Sequence, residues 1–146
     1  MKIVIVTNVV VYRKTKSNIR PFNNIELLLV KRCDTDDHYP SYYAFPGGEA
    51  DLTIENIEDS VHRELKEETN IVLDSPLILV HTNNVRISEN FTAVGIYYLA
   101  EYNKDDLPVA GDEISDVVWM NINEVRKLDL AFQHNEILEK IEKNVL

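Results

Sequence analysis

Residues 46–71 constrain the fold of this chain more than any other segment, because a glycine turn leads there into a helix with two different faces. Over the predicted helix 55–69, apolar or small side chains recur at the spacing of a face that packs on a β-sheet. Carboxylates gather along another edge, since residues three and four apart are neighbours on a helix. The apolar stripe consists of Ile54, Ile57, Val61, Leu65 and Thr69, and the acids are Glu64, Glu67 and Glu68.

Three carboxylates on one helical edge repel one another unless a cation lies between them. Charge runs of this kind more often form a solvated helix face, but here the preceding glycines and the fixed spacing favour a metal site. Magnesium prefers oxygen ligands, and one or two carboxylates usually hold it together with substrate phosphates. The segment therefore predicts a Mg²⁺ site for pyrophosphate chemistry, with Mn²⁺ as the alternative. Arg63 points about 100° around the helix from Glu64, towards Glu67 and Glu55, and is expected to hold the acids in position.

The spacing of these residues resembles the Nudix hydrolase box, which joins a glycine, a glutamate, an arginine–glutamate pair and a second glutamate pair at fixed intervals. Two departures stand out. Six residues instead of five separate Gly48 from Glu55, and the closing glycine is Asn70, the non-glycine residue that best tolerates the left-handed conformation. The box positions are occupied by Gly47-Gly48, Glu55, Arg63, Glu64, Leu65, Glu67, Glu68 and Ile71.

The resemblance extends beyond the box. Residues 43–48 look like the aromatic lead-in to the family's glycines, and residues 25–32 look like the strand before it. Residues 130–134, Leu-Ala-Phe-Gln-His, are similar to the Leu-Ala-Phe-Asp-His of the branch described as ADP-ribose pyrophosphatases. The resemblance implies an α/β/α sandwich with a mixed sheet and a central catalytic helix.

The family's site roles can be transferred to matching positions of this chain. The resemblance implies that Mg²⁺ is bound by Glu64, Glu67, Glu68 and the carbonyl of Gly47, and that any of the three glutamates could act as the base. Arg63 and Glu55 would support the helix.

The resemblance also implies a further acid from a loop across the cleft. Glu113 is the candidate and Asp112 the alternative, although Gly111 and the acids after it also fit an ordinary polar turn.

Substrate contacts are less constrained by the sequence. Arg86 could bind a phosphate, although a single Arg on a strand is more often a surface residue. Tyr43 occupies the aromatic position before the glycines, where it could contact substrate or serve the structure. Aromatic surface for adenine is available from Tyr39, Tyr42, Tyr43, Phe45 and Phe132.

Composition limits the remaining possibilities. At 146 residues the chain is expected to form a single domain, 1–146, and the lone Cys33 cannot form an intramolecular disulfide. A net charge of −10 argues against duplex nucleic acid as a principal partner. No apolar run is long enough to span a bilayer, so a soluble, cytoplasmic protein without membrane contact is expected. The apolar strand predicted at 85–101 could support a homodimer.

The pattern of apolar residues and turn formers predicts a strand-rich chain around one central helix. The activity that the resemblance implies is cleavage of the pyrophosphate bond of a nucleoside diphosphate linked to another moiety, with ADP-ribose or a related dinucleotide favoured. The alternatives are a nucleoside triphosphate pyrophosphatase of the nucleotide-sanitising kind and a non-catalytic, nucleotide-sensing Nudix domain. The predicted strands are 2–12, 24–32, 43–45, 72–81, 85–101 and 115–121, and the predicted helices are 55–69, 123–128 and 132–143.

Overall fold

A mixed β-sheet with helices on both faces forms the centre of the protein. The computed structural model describes residues 1–15 and 24–144. Within these ranges the strands are β1 (Lys2–Lys14), β2 (Ile25–Arg32), β3 (Tyr43–Ala44), β4 (Gly47–Glu49), β5 (Ile78–Ser88), β6 (Phe91–Glu101) and β7 (Ile114–Asn121). The helices are α1 (Ile57–Thr69), α2 (Ile122–Val125) and α3 (His134–Asn144), with a 3₁₀ turn at Ala131–Gln133.

Strand β1 lies in the middle of the sheet, parallel to β6 and antiparallel to β2 and β4. Successive side chains of a strand point to opposite faces, and β1 uses both. Val9 and Val11 pack with Val61 and Leu65 of α1, whereas Val10 packs on the other face with the residues of α2 and α3. The predicted α/β/α sandwich with a mixed sheet is thus confirmed.

Helix α1 begins two residues later than predicted. Asn56 is its N-cap, and the Asn56 side chain accepts a hydrogen bond of 2.8 Å from the N–H of Asp59. Ile54 therefore lies outside the helix and is 79% exposed, so its place in the predicted apolar stripe is wrong. Val61 and Leu65 are buried as the helical spacing predicts.

The hairpin of β5 and β6 differs from the predicted strands. A break was expected at 82–84, but these residues pair with β6, and the chain turns at Glu89 and Asn90 instead. The predicted strand 72–81 begins only at Ile78, because Pro76 cannot donate to a ladder and Ser75 uses its hydroxyl to bond the carbonyl of Glu101. Cross-strand pairing thus decides the register of this hairpin more than local turn formers do.

Strand β4 was not predicted from the sequence, since its two glycines indicate a turn. It pairs with Val6–Asn8 of β1 and thereby fixes the glycines beside α1. At the C-terminus, the helix predicted at 132–143 divides into the 3₁₀ turn and α3, and α2 is shorter than the predicted 123–128. None of the helices in residues 1–15 and 24–144 is long and apolar enough to cross a membrane.

Candidate active site

The glycines of β4 bring two carboxylates of α1 against the sheet. Glu68 Oε1 accepts a hydrogen bond of 2.8 Å from the N–H of Gly47. The Glu64 carboxylate lies so close to Gly48 that a Cβ there would stand 2.5 Å from Glu64 Oε1. A side chain at Gly48 would therefore displace this carboxylate, which gives the second glycine of the turn a steric reason.

Arg63 holds the carboxylates around it in place. Its Nε and Nη2 donate to the two oxygens of Glu55 at 2.9 and 2.8 Å, in a bidentate pair. Its Nη1 donates to Glu64 at 3.1 Å and to Glu67 at 3.2 Å, and Nη2 also reaches the carbonyl of Glu49. The guanidinium thus fixes two of the acids assigned to the metal and positions them relative to the glycine strand.

The extra residue before Glu55 is accommodated in a compact turn. The N–H groups of Ile54 and Glu55 both donate to the carbonyl of Asp51 at 3.1 Å, and the N–H of Asp51 donates to Glu55 Oε1 at 3.1 Å. Ile54 is the residue displaced outwards. Glu55 therefore still reaches Arg63, and the hydrogen bonds from Arg63 lower the Glu55 pKa to about 2.

Negative charge is in excess at the edge of α1 that faces the glycines. Burial raises the pKa of Glu68 to about 8, and the charges of Glu64 and Glu113 add to that rise, while the Gly47 N–H and Arg32 oppose it. Burial likewise raises the pKa of Glu64, against the opposing effect of Arg63. A cation bound here would relieve this repulsion.

Glu113 is the loop acid whose charge acts on Glu64 and Glu68. The preceding loop docks on the last turn of α1: the N–H of Val109 donates to the carbonyl of Thr69 at 2.9 Å, and the N–H of Gly111 donates to the carbonyl of Glu68 at 3.0 Å. A Cβ at Gly111 would overlap the helix backbone. We refer to Glu64, Glu67, Glu68 and Glu113 as the acid centre.

The acid centre is not arranged in advance around one metal position. Within residues 1–15 and 24–144, no group of three His, Cys, Asp or Glu side chains has that geometry. The reason is that Glu68 faces the Gly47 N–H, while Glu64 and Glu67 face Arg63. The chemistry still fits a hard cation, because the donors are all oxygen and Mg²⁺ needs only one or two carboxylates when phosphates and waters complete its shell.

Arg86 is not brought to the acid centre. It pairs with Thr92, whose neighbour on β1 is Ile3, whereas Gly47 pairs with Asn8. Ile3 and Asn8 are five residues apart on β1, so Arg86 and Gly47 are separated by about 16 Å along the strand direction. The structure therefore gives no support to a phosphate contact from Arg86 within the same chain.

Tyr43 lies closer to the site but has a structural position. Its ring packs against the core on the α3 side, and Lys31 Nζ lies 5.8 Å from the ring centroid. Strand β3 pairs Tyr43 with Lys31, one residue before the end of β2. Of the two readings of this aromatic position, the geometry favours packing over substrate contact.

Arg32, at the end of β2, was not singled out from the sequence. Its Nε donates to the carbonyl of His38 at 3.0 Å, and its guanidinium carbon lies 4.7 Å from the centroid of the Phe132 ring. Its charge also acts on Glu68. The sequence shows only that Arg32 is a basic residue at the end of a strand, just before a turn-rich loop. Such residues are usually on the surface, so this pattern does not identify a site residue.

His134, the last residue of the string 130–134, is buried and 1% exposed. Its Nδ1 accepts a hydrogen bond of 3.1 Å from the N–H of Phe45, and the two rings stack at 5.2 Å. Burial, together with the charge of Arg32, lowers the His134 pKa to about 3. His134 is therefore neutral, and it ties the C-terminal segment to the strand that leads into the glycines.

The NUDIX domain family model matches residues 5–141 of the chain. The ADPR responsive transcriptional repressor NtrR of Acinetobacter baylyi is 31% identical over 121 residues, which are 80% of this chain and 46% of that protein. The ADP-ribose pyrophosphatase of Methanocaldococcus jannaschii is 26% identical over 114 residues, 78% of this chain and 64% of that enzyme. The chain thus spans between about half and two thirds of the length of these curated relatives.

Two solved structures share the fold. The NUDIX domain of Shewanella oneidensis NrtR complexed with ADP ribose superposes with a TM-score of 0.82 at 21% identity, covering 100% of this chain and 90% of that one. A MutT/nudix family protein from Enterococcus faecalis gives a TM-score of 0.79 at 24% identity, covering 99% and 62%. At these identities the likeness concerns the fold.

Proposed function

Since this chain belongs to the Nudix family, we propose that it is a divalent-metal-dependent pyrophosphohydrolase. The reaction is hydrolysis of the pyrophosphate link in a nucleoside diphosphate joined to another moiety, with ADP-ribose as the favoured substrate. The observation that carries the proposal is the acid centre, where Glu64 and Glu68 are crowded with Glu113 and Arg63 holds Glu64 in position. Such an excess of oxygen donors suits a cation and the phosphates bound to it.

Residues in and around the acid centre have proposed roles in metal binding or in positioning. Glu64, Glu67, Glu68 and the carbonyl of Gly47 would hold Mg²⁺ or Mn²⁺. When bound, the cation neutralises phosphate charge, polarises the bond under attack and lowers the pKa of a water. Arg63 keeps Glu64 and Glu67 in one orientation, so less reorganisation accompanies the reaction.

The proton of the attacking water passes to a carboxylate of the acid centre. Glu64, Glu67 and Glu68 all remain candidates for that base, and Glu113 approaches from the loop across the cleft. A general base must lie within hydrogen-bond reach of the proton that it takes, directly or through one water. A pH–rate profile of each carboxylate-to-amide variant would separate these candidates.

The choice of ADP-ribose rests on two observations. Residues 130–134 resemble the corresponding string of the ADP-ribose pyrophosphatase branch. The two curated relatives described above are named for ADP-ribose, one as a pyrophosphatase and one as a responsive repressor. Because each is longer than the region that aligns, the substrate of this chain is our proposal.

The decisive experiment measures hydrolysis of a nucleotide panel with Mg²⁺ or Mn²⁺, adding phosphatase so that monoester products release phosphate. The panel contains ADP-ribose, NADH, diadenosine polyphosphates, dNTPs and 8-oxo-dGTP. We expect turnover of ADP-ribose that collapses in Glu68→Gln and persists in Glu139→Gln, an exposed acid of α3 that serves as the matched control. Preference for a triphosphate would move the assignment to the nucleotide-sanitising alternative.

A sensing domain is the second candidate, because one relative is a repressor that responds to ADPR. The retention of Glu64, Glu67 and Glu68 favours the enzyme, since a domain that only senses has no need of them. Binding of ADP-ribose without turnover of any panel member, with either metal, would favour the sensor. The prediction that this chain itself binds no duplex nucleic acid rests on its net charge of −10, and a gel shift with and without ADP-ribose would check it.

A further inference from the structure

Three aromatic rings form an exposed surface beside the acid centre. Tyr39, Tyr42 and Phe132 are 39%, 37% and 43% exposed, and we call them the aromatic patch. The rings of Tyr39 and Phe132 meet edge to face at 4.9 Å, and those of Tyr39 and Tyr42 meet at 5.4 Å. Contiguous aromatic surface left in water is costly, so a patch of this kind commonly marks a binding site.

Unusual backbone conformations are concentrated at the patch. Among the described residues, five that are not glycine have a positive φ, and one of them is the helix cap Asn70. The other four are Tyr39 (50°), Ser41 (65°), Phe132 (54°) and Gln133 (60°). Bulky residues rarely adopt this conformation, and strain of this kind persists at ligand clamps where the surrounding structure enforces it.

The turn at Phe132 directs its ring out of the core. Ala131 before it and His134 two residues after it are 0% and 1% exposed, Gln133 between them is exposed like Phe132, and α3 begins at His134. A continuous helix through this segment would not reverse the backbone at Phe132 and Gln133. The strained turn therefore presents an aromatic ring to solvent at the point where the sequence pattern predicts a helix.

Arg32 contacts the aromatic patch, and its charge acts on the acid centre. Its guanidinium is over the Phe132 ring at 4.7 Å, and its backbone N–H donates to the carbonyl of Tyr42 at 2.9 Å. Its charge also acts on Glu68. An anionic group that approaches the acid centre from the side of the patch would thus meet a guanidinium, which binds phosphate oxygens well.

We propose that the aromatic patch stacks the base of the nucleotide, through Tyr39 and Phe132, while Arg32 binds the adjoining phosphate. The ligand is inferred from three kinds of group: the planar rings of the aromatic patch, the guanidinium of Arg32, and the carboxylates of the acid centre that would bind a metal. That order matches base, phosphate and scissile link in a nucleoside diphosphate derivative. The assignment rests on the proposed function, because it requires the diphosphate to end at the acid centre.

The test compares two ligands that differ only in the base, AMP and ribose 5-phosphate. Affinities are measured by calorimetry in EDTA, so that neither cleavage nor a metal contributes. Phe132→Ala and Tyr39→Ala should each weaken AMP about tenfold or more and leave ribose 5-phosphate unchanged, since loss of a stacking ring has effects of that size. Phe132→Tyr should retain AMP affinity. Arg32→Ala should weaken both ligands.

The matched control is Phe91→Ala. Phe91 also lies under a cation, Lys2 Nζ at 5.2 Å, but at the far end of the sheet. Its loss should leave both affinities unchanged. Melting temperatures are recorded for every variant, and if Phe132→Ala fails to fold, Tyr39→Ala on the separate loop carries the same test.

The outcomes separate this inference from the proposed function. Unchanged AMP affinity in Phe132→Ala and Tyr39→Ala, or equal weakening of both ligands, would overturn the base site. Wild-type protein that binds AMP through the patch but hydrolyses nothing would overturn the hydrolase and leave the base site standing. With an active enzyme, the base site also requires a higher KM for ADP-ribose in Phe132→Ala while kcat is kept.

Discussion

The acid centre and the aromatic patch both interact with Arg32 but are built in different ways. Glu64, Glu67 and Glu68 project from a regular helix that packs its apolar face on the sheet. Tyr39 and Phe132 project from irregular segments with positive φ angles. The groups proposed to hold a metal are thus placed on a rigid element, while the groups proposed to select a ligand are placed where the backbone can vary.

The two regions also destabilise the folded protein in different ways. In the acid centre the cost is electrostatic, since burial and neighbouring charges raise the pKa of Glu68 to about 8. In the aromatic patch the cost is conformational, at Tyr39 and Phe132. Both costs fall on the folded protein without ligand, as expected where function opposes stability.

The largest expected effect is that of Glu68→Gln. Loss of a group that only orients a metal ligand lowers affinity or activity roughly 10- to 100-fold, so loss of a ligand should cost at least about 100-fold. Metal-free protein should meanwhile become more stable at pH 7, because a neutral amide replaces a carboxylate whose pKa burial raises. Hydrolysis rates and thermal melts in EDTA measure the two changes.

The control for that prediction is Glu139→Gln, which should alter neither quantity. A Glu68→Gln protein that melts below wild type in EDTA would show that the carboxylate stabilises the glycine strand through its bond to Gly47. The contrast drawn between electrostatic and conformational cost would then be broken.

The next effect in size concerns Arg63. Lys keeps the charge but cannot bond both oxygens of Glu55 while also reaching Glu64 and Glu67. We expect Arg63→Lys to lower kcat/KM about 10- to 100-fold and to raise the metal concentration needed for half-maximal rate. AMP affinity in EDTA should not change, because the aromatic patch is independent of this network. Weaker AMP binding by Arg63→Lys would show that the acid centre and the aromatic patch are coupled.

His134 gives a third, pH-dependent prediction on the side of the patch. Its pKa is about 3 in the folded protein because it is buried, against about 6.5 in an unfolded chain. Below pH 6.5 the unfolded state binds a proton that the folded state excludes. Stability from this group is therefore complete above pH 6.5 and declines as the pH falls towards 3, by up to about 1.4 kcal/mol per pH unit.

Glu68 acts in the opposite direction, since its folded pKa exceeds its unfolded one and stability rises as the pH falls from about 8. The measurement is therefore a difference: urea melts of wild type and His134→Gln at several values between pH 6.5 and 4.5. The stability gap between the two proteins should narrow as the pH falls. A constant gap would show that His134 titrates normally, and NMR titration of its ring in the wild type gives an independent check.

The two regions also differ in how far the sequence predicts them. Helical spacing and the box spacing were sufficient to place Glu64 and Glu68 on one edge of α1, because a regular element converts spacing directly into geometry. Asn70 was expected to end the helix in a left-handed conformation, and its φ is 61°. The Nudix resemblance is confirmed over residues 5–141. The detailed roles of the site residues stay predictions.

The three residues of the aromatic patch were among the five aromatic residues named from the sequence for adenine, but their arrangement could not be predicted in the same way. Phe132 was predicted as the first residue of the helix 132–143, and only tertiary contacts decide that the chain reverses there. The role of Arg32 depends on where the loop after β2 folds back, which no local pattern specifies. Arg86 shows the same dependence on tertiary structure: the hairpin turn lies at Glu89 and Asn90, so the strand carries Arg86 away from the acid centre, and its role as a phosphate contact stays a prediction.

The smallest expected effects come from substitutions at Asn70 and Phe132, the residues with a left-handed backbone conformation that are compared between the two regions. At the C-cap of α1, Asn70→Ala should cost about 1 kcal/mol of unfolding free energy, whereas Asn70→Gly should be neutral or stabilising by a few tenths. Phe132→Gly relieves the same kind of strain and should stabilise by up to about 1 kcal/mol, yet it should weaken AMP binding. Urea denaturation and calorimetry measure both. If Phe132→Gly is instead less stable than wild type, the ring serves packing, and the division between a rigid acid centre and a ligand-selecting patch fails at Phe132.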